Sequence, residues 1–138
     1  MTKLLFVCTG NSARSQFAEA FAKYYAGGMV SVASAGISPA GLNPNAVWAM
    51  NEVGIDIRHQ TSDPLSAFQL GDFDCVVTLC GDARDNCPAL PREVRREHWN
   101  IPDPAKSRGA PGEILKAFRV VRYQVERRVK NLLERELV

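Results

Sequence analysis

An apolar run, Leu4-Leu5-Phe6-Val7, closes on Cys8, passes through a short polar turn and resumes at Arg14 as a helical pattern. Few local patterns constrain a fold more. A short apolar run ended by turn residues predicts a buried strand. A strand that feeds a helix through a tight turn belongs in a parallel sheet covered by helices. The spacing from Cys8 to Arg14 is C-x5-R, with Ser15 next. The N–H groups of such a turn and of the first helical turn converge into an anion cradle. An arginine fork adds bidentate hydrogen bonds to a tetrahedral oxyanion. The same fields favour the thiolate form of a cysteine at the bottom of the cradle, which makes it a nucleophile. The oxyanion-binding positions expected here are Thr9, Gly10, Asn11, Ser12, Ala13 and Arg14.

The remaining pattern repeats the alternation. Residues 14 to 25 predict a helix with Phe17, Phe21 and Tyr24 on its apolar side, ended by Gly27-Gly28. Met29 to Ala35 alternates as a strand. Asn43 caps a helix that begins at Pro44 and ends before Gly54, with Ala46, Val47, Met50 and Val53 inward. Residues 55 to 61 are irregular, and Ser62-Asp63-Pro64 predicts a short helix reaching about Leu70. Cys75 to Leu79 is a third strand, followed by a loop over 81–92 with room for one helical turn. Arg96 to Trp99 is a short fourth strand. From about Pro111 a long amphipathic helix runs nearly to the end, with Ile114, Phe118, Val121, Val125, Val129 and Leu132 inward. The expected fold is α/β: one domain over residues 1–138, a three-layer sandwich with a central four-stranded parallel sheet and helices on both faces.

In such sheets ligands bind beyond the carboxyl ends of the strands. Cys8, Cys80 and the loop after Trp99 all lie at strand ends of that kind, so three distant features should meet on one face. Cys80 and Cys87 flank Gly81-Asp-Ala-Arg-Asp-Asn86, a spacing too wide for a C-x2-C redox pair. A nucleophilic thiolate with two further thiols nearby suggests a relay, in which one thiol attacks the first adduct and another resolves the disulfide. Metal ligation by Cys75, Cys80, Cys87 and His98 is the weaker reading, because no short C-x2-C knuckle is present. Cys75 sits inside an apolar run and is explained by core packing. Asp103, between Pro102 and Pro104, is a carboxyl on a stiffened loop, placed to act as general acid toward a leaving oxygen.

Composition excludes other classes. A net charge of +2 is too small to argue for nucleic acid. No apolar stretch approaches a membrane span, and residues 1 to 8 are too short for a signal peptide. The chain is thus expected to be cytoplasmic, where four cysteines serve catalysis or redox chemistry more often than a disulfide framework. A monomer suffices for this chemistry.

Cys8-Thr-Gly-Asn-Ser-Ala-Arg-Ser-Gln16, Ser34-Ala-Gly36, Thr61-Ser-Asp63, Val77-Thr-Leu-Cys80, Asn86-Cys-Pro88 and Glu97-His-Trp99 with Asp103-Pro104 resemble the thioredoxin-coupled arsenate reductases. These are built on the low-molecular-weight protein tyrosine phosphatase fold. The resemblance implies that Cys8 attacks arsenate while Arg14 and the loop amides hold it, with Ser15 hydrogen-bonded to the thiolate. Asp103 would protonate the leaving oxygen. Cys80 would then form a disulfide with Cys8 and release arsenite, and Cys87 would displace Cys8 to give Cys80–Cys87, reduced by thioredoxin. It further implies a monovalent cation, usually potassium, at Asn11, Glu19, Ser34 and Asp63. Phosphate and sulfate are the competing oxyanions. From the residues themselves, Glu19 lies one helical turn past Ser15, where it could buttress Asn11. Two positions depart from the pattern: Ala13, where many relatives carry cysteine, and residues 106 to 112, a longer polar segment before the last helix. A reductase of this kind is expected to show weak phosphatase activity as a side reaction; the alternative reading is a low-molecular-weight protein tyrosine phosphatase using Cys8, Arg14 and Asp103. It leaves Cys80 and Cys87 without a role and finds no aromatic residue between Gly36 and Trp48 to flank a substrate ring.

Overall fold

In the computed structural model, which describes residues 1–137, strand β1 (Thr2–Cys8) lies inside a four-stranded sheet. Its neighbours are β2 (Val30–Gly36) and β3 (Cys75–Thr78), and β4 (Arg95–His98) completes the order β2-β1-β3-β4. Every pairing is parallel. Leu4, Leu5, Phe6 and Val7 are fully buried, as an interior strand covered on both faces requires. The register sets Cys8 beside Gly36 at the carboxyl edge, and the Leu79 N–H bonds the Val7 carbonyl one step before Cys80.

Helices α1 (Arg14–Ala26), α2 (Pro44–Glu52), α3 (Gly81–Asn86) and α4 (Pro111–Glu136) flank this sheet. α1 packs on both α4 and the sheet, which explains its run of buried small residues, Ala18, Ala20 and Ala22. α2 packs on α4, and α3 on β1 and β3. The sheet-to-loop junction is anchored by Trp99, buried beside Phe6 with ring centroids 5.7 Å apart. Truncating Phe6 to alanine would cost about 3–5 kcal/mol in lost packing and cavity.

The α/β sandwich expected from the sequence is the fold observed, with local differences. Asn43 caps α2 as its side chain accepts from the Asn45 N–H at 2.8 Å, and Pro44 opens the helix. The segment after Asp63 is not one helix: it forms two 3-10 turns, Leu65–Ala67 and Leu70–Asp72. Neither turn buries a residue completely, so an apolar stripe that could sustain an α-helix there is missing. Tyr24 and Val53, expected inward, are exposed. Tyr24 instead stacks on Tyr25 at the surface, and Ala49 takes the inward place on α2. The loop after Cys80 contains a full short helix, α3, and residues 104 to 106 form a further 3-10 turn.

Candidate active site

The loop from Cys8 to Arg14 is held from behind by its own carbonyls. The Cys8 carbonyl accepts from the Ile37 N–H (3.1 Å), Thr9 from Ser38 (2.8 Å), Gly10 from Ala40 (2.9 Å) and Ser12 from Asn43 (3.0 Å). The Asn11 carbonyl accepts from the Gln16 side chain at 2.8 Å. The N–H groups of Gly10, Asn11, Ser12 and Ala13 donate to no acceptor among the described residues. Unpaired amides on one side and paired carbonyls on the other make an anion-binding concavity. Asn11 contributes the turn by adopting φ of +47°, a left-handed conformation that Asn tolerates better than most residues. Gly36 permits the close approach of β2: a Cβ there would lie 2.8 Å from the Thr9 carbonyl oxygen and 2.9 Å from the Asn11 nitrogen.

A cavity of about 220 Å³ opens over this loop, lined by Cys8, Thr9, Gly10, Ser12, Ala13, Arg14, Ser38, Ala40 and Asp103. No aromatic side chain lines it. At its floor the Cys8 sulfur is 2.9 Å from the Ser15 hydroxyl. Asn11 Nδ2 donates to Ser15 Oγ at 2.7 Å, which leaves the hydroxyl proton free to point at sulfur. Arg14 is fixed by the Ile101 carbonyl (3.2 Å) and stands 3.6 Å from an Asp103 carboxylate oxygen. Asp103 also accepts from the Ala105 N–H at 3.0 Å, which orients its carboxyl into the cavity mouth. The acid loop is thus tied to the anion loop through Arg14.

Cys80 enters from the end of β3. Its sulfur is 3.3 Å from the Thr9 hydroxyl and 3.3 Å from the Ala83 N–H at the start of α3. Cys87 stands at the far end of α3, half-buried, and that burial pushes its thiol above its ordinary range. Cys75 is wholly buried at the other end of β3, and burial raises its thiol as well. All four cysteines are free. The structure therefore sets Cys8, Arg14 and Asp103 on one cavity, with Ser15 against the Cys8 sulfur, Cys80 against Thr9 in the cavity wall, and Cys87 one short helix away.

Asn11, Glu19, Ser34 and Asp63 also gather, behind the loop. Asn11 Nδ2 donates to Ser34 Oγ (2.9 Å), Ser34 donates to Glu19 (2.6 Å), and the Asp63 N–H donates to Asn11 Oδ1 (2.9 Å). Glu19 thus reaches Asn11 through Ser34. Oxygen donors of this kind suit a hard cation. The second Glu19 oxygen already faces the Lys23 ammonium at 2.5 Å, so a further cation would have to share this carboxylate with Lys23 or displace it. Sequence reasoning missed Lys23, although its position four residues after Glu19 was a readable signal. It also missed the buried amide pair Gln16 and Gln60, joined at 2.7 Å.

Comparison with known proteins agrees with this geometry. Residues 3–137 match the model for low molecular weight phosphotyrosine protein phosphatases. Arsenate reductases of Shouchella clausii and of Bacillus subtilis are each 53% identical over 131 residues, covering 95% of this chain and 94% of theirs. A solved arsenate reductase in its oxidized state is 41% identical with a TM-score of 0.86, covering 98% of both chains. One in its phosphate-binding state is 42% identical with a TM-score of 0.81 and the same coverage. A tyrosine phosphatase of Erwinia amylovora, 21% identical, shares the fold at a TM-score of 0.81 over 96% of this chain and 91% of its own. With its anion loop, its second thiol at the loop's edge and these relatives, the chain belongs to the low molecular weight phosphotyrosine protein phosphatase family, among its arsenate reductases.

Proposed function

We propose that this protein reduces arsenate to arsenite by a three-thiol relay whose oxidising equivalents pass to thioredoxin. The observation that carries the reading is Cys80, whose sulfur meets the Thr9 hydroxyl at the rim of the Cys8 loop. Phosphate ester hydrolysis needs no second thiol there.

The geometry supports the following chemistry. Arsenate binds with its oxygens on the free loop amides and the Arg14 fork. The Cys8 thiolate attacks arsenic, and an oxygen leaves as water with a proton from Asp103. This gives a sulfur–arsenic(V) bond. Cys80 then attacks the Cys8 sulfur: the S–S bond forms, the S–As bond breaks, and its electron pair stays on arsenic as arsenite. Ser15 and Thr9, 2.9 Å and 3.3 Å from the two sulfurs, would donate to the thiolates. Cys87 next attacks Cys80, releasing Cys8 as thiolate and leaving Cys80–Cys87. Since α3 separates these two cysteines, that step requires α3 to unwind. Thioredoxin dithiol reduces the final bridge and closes the cycle.

The test couples arsenate to NADPH oxidation through thioredoxin and its reductase. Wild type should turn over repeatedly. Cys8→Ser should be inert, and Cys80→Ser and Cys87→Ser should not sustain turnover. Full multiple turnover by Cys80→Ser or Cys87→Ser sinks the relay. Rapid hydrolysis of p-nitrophenyl phosphate without arsenate turnover would instead assign a phosphatase.

A further inference from the structure

We propose that Lys23 is the resident cation of the anion loop, balancing the buried Glu19 carboxylate and thereby fixing the direction of a hydrogen-bond relay that ends on Cys8. The relay has no gap. Lys23 Nζ meets Glu19 at 2.5 Å, Ser34 donates to Glu19 at 2.6 Å, Asn11 donates to Ser34 at 2.9 Å and to Ser15 at 2.7 Å, and Ser15 lies 2.9 Å from the Cys8 sulfur.

Its polarity is set from the far end. A carboxylate only accepts, so Ser34 must give its one proton to Glu19. Ser34 can then only accept from Asn11, which turns the Asn11 amide nitrogen inward. The Asp63 N–H on Asn11 Oδ1 agrees with that orientation. The amide's second proton goes to Ser15, whose own proton is then free for the Cys8 sulfur. Asn11, Ser15 and Ser34 are at most 2% exposed and Glu19 is 8% exposed, so water cannot replace a lost member.

A buried carboxylate needs a partner charge. Lys23 supplies it from the next helical turn, with its own side chain 46% exposed. Because that charge is tethered, the loop needs no dissolved monovalent cation. Lys23 touches no reacting atom and is a positioning residue. The inference rests on Cys8 as the reacting thiol, but its test reads labelling of cysteines, so it can fail while arsenate reduction stands.

The experiment measures iodoacetamide labelling of Cys8 and Cys87, resolved by peptide mass, in potassium chloride and in choline chloride at equal ionic strength. Wild type should label Cys8 at the same rate in both salts. Lys23→Met should label Cys8 roughly fivefold more slowly in choline, about the worth of one hydrogen bond, with Cys87 unchanged. Potassium, close in size to ammonium, should restore the rate, and Lys23→Arg should behave as wild type. A variant slow in both salts and rescued by Lys23→Arg supports the assignment equally, since the place then accepts only a tethered charge. The proposal is overturned if wild type itself needs potassium, if Lys23→Met keeps the wild-type rate in choline, or if Cys8 and Cys87 change together as a general loss of stability would make them.

Discussion

The Thr9 hydroxyl lies 3.3 Å from the Cys80 sulfur, although 71 residues separate them in sequence. The contact joins the anion loop to the thiol that, in the proposed relay, would attack its adduct. Thr9→Val keeps the shape and removes the donor. Arsenite release in a single turnover should slow by about tenfold, the loss expected for one charge-assisted hydrogen bond. Thr9→Ser should restore the rate. Unchanged release by Thr9→Val in rapid-quench measurements would remove Thr9 from this role.

Gly36 predicts a different failure. A methyl group there cannot coexist with the Thr9 carbonyl at 2.8 Å and the Asn11 nitrogen at 2.9 Å. Gly36→Ala should push the loop away from β2 and cost about 1–3 kcal/mol by overpacking. Phosphate titration by calorimetry should show at least tenfold weaker binding. Wild-type affinity in Gly36→Ala would mean that the loop has slack the structure does not show.

Cys87 should be a poor nucleophile until its turn comes. Burial raises its thiol above the ordinary range, so at neutral pH it stays protonated in the resting enzyme and its reactivity grows only as pH rises past that raised value. If the proposed relay operates, Cys87→Ala should accumulate a Cys8–Cys80 disulfide after one turnover with arsenate. In wild type, brief oxidation by one equivalent of arsenate should make the 81–87 segment exchange its amide hydrogens faster. Equal exchange before and after would argue against unwinding of α3.

Glu52 contributes to acid stability far from the site. Hydrogen bonds from Arg119, then from Arg122, hold the Glu52 carboxyl at about 2 against an ordinary 4.5. A depressed carboxyl stabilises the fold fully above its unfolded value and loses that contribution as pH falls through the folded one. Glu52→Gln should therefore lower the melting temperature at pH 6, and the gap from wild type should shrink between pH 4.5 and 2. The contribution is small because the group faces solvent. A gap that persists unchanged at pH 2 would show that Glu52 acts through packing.

The legible part of this molecule was local. Cys8, Arg14 and Ser15 were readable because strand, turn and helix are short-range patterns, and Cys80 followed from the rule that ligands gather at strand ends. The helix expected up to Leu70 failed because its apolar residues, Leu65, Phe68 and Leu70, pack only partly on the core, and the extended backbone at Phe68 separates two 3-10 turns. Tyr24 fits a helical stripe but falls on the exposed side of α1. Least visible was the role of residues 37 to 43, which present as a turn-rich connection. Their N–H groups hold the anion loop's carbonyls, and backbone-to-backbone pairing between distant loops leaves no signature in side-chain type.

Those tethered carbonyls have a consequence for selectivity. A cradle braced before any ligand arrives recognises tetrahedral shape and charge, which phosphate and arsenate share. In the proposed relay discrimination would then come after binding, from redox chemistry that arsenic(V) undergoes with thiols and phosphorus(V) does not. Phosphate would be a spectator that occupies the cradle and leaves unchanged. Turnover of the proposed reductase in a phosphate-rich medium would accordingly be governed by how often the cradle stands empty.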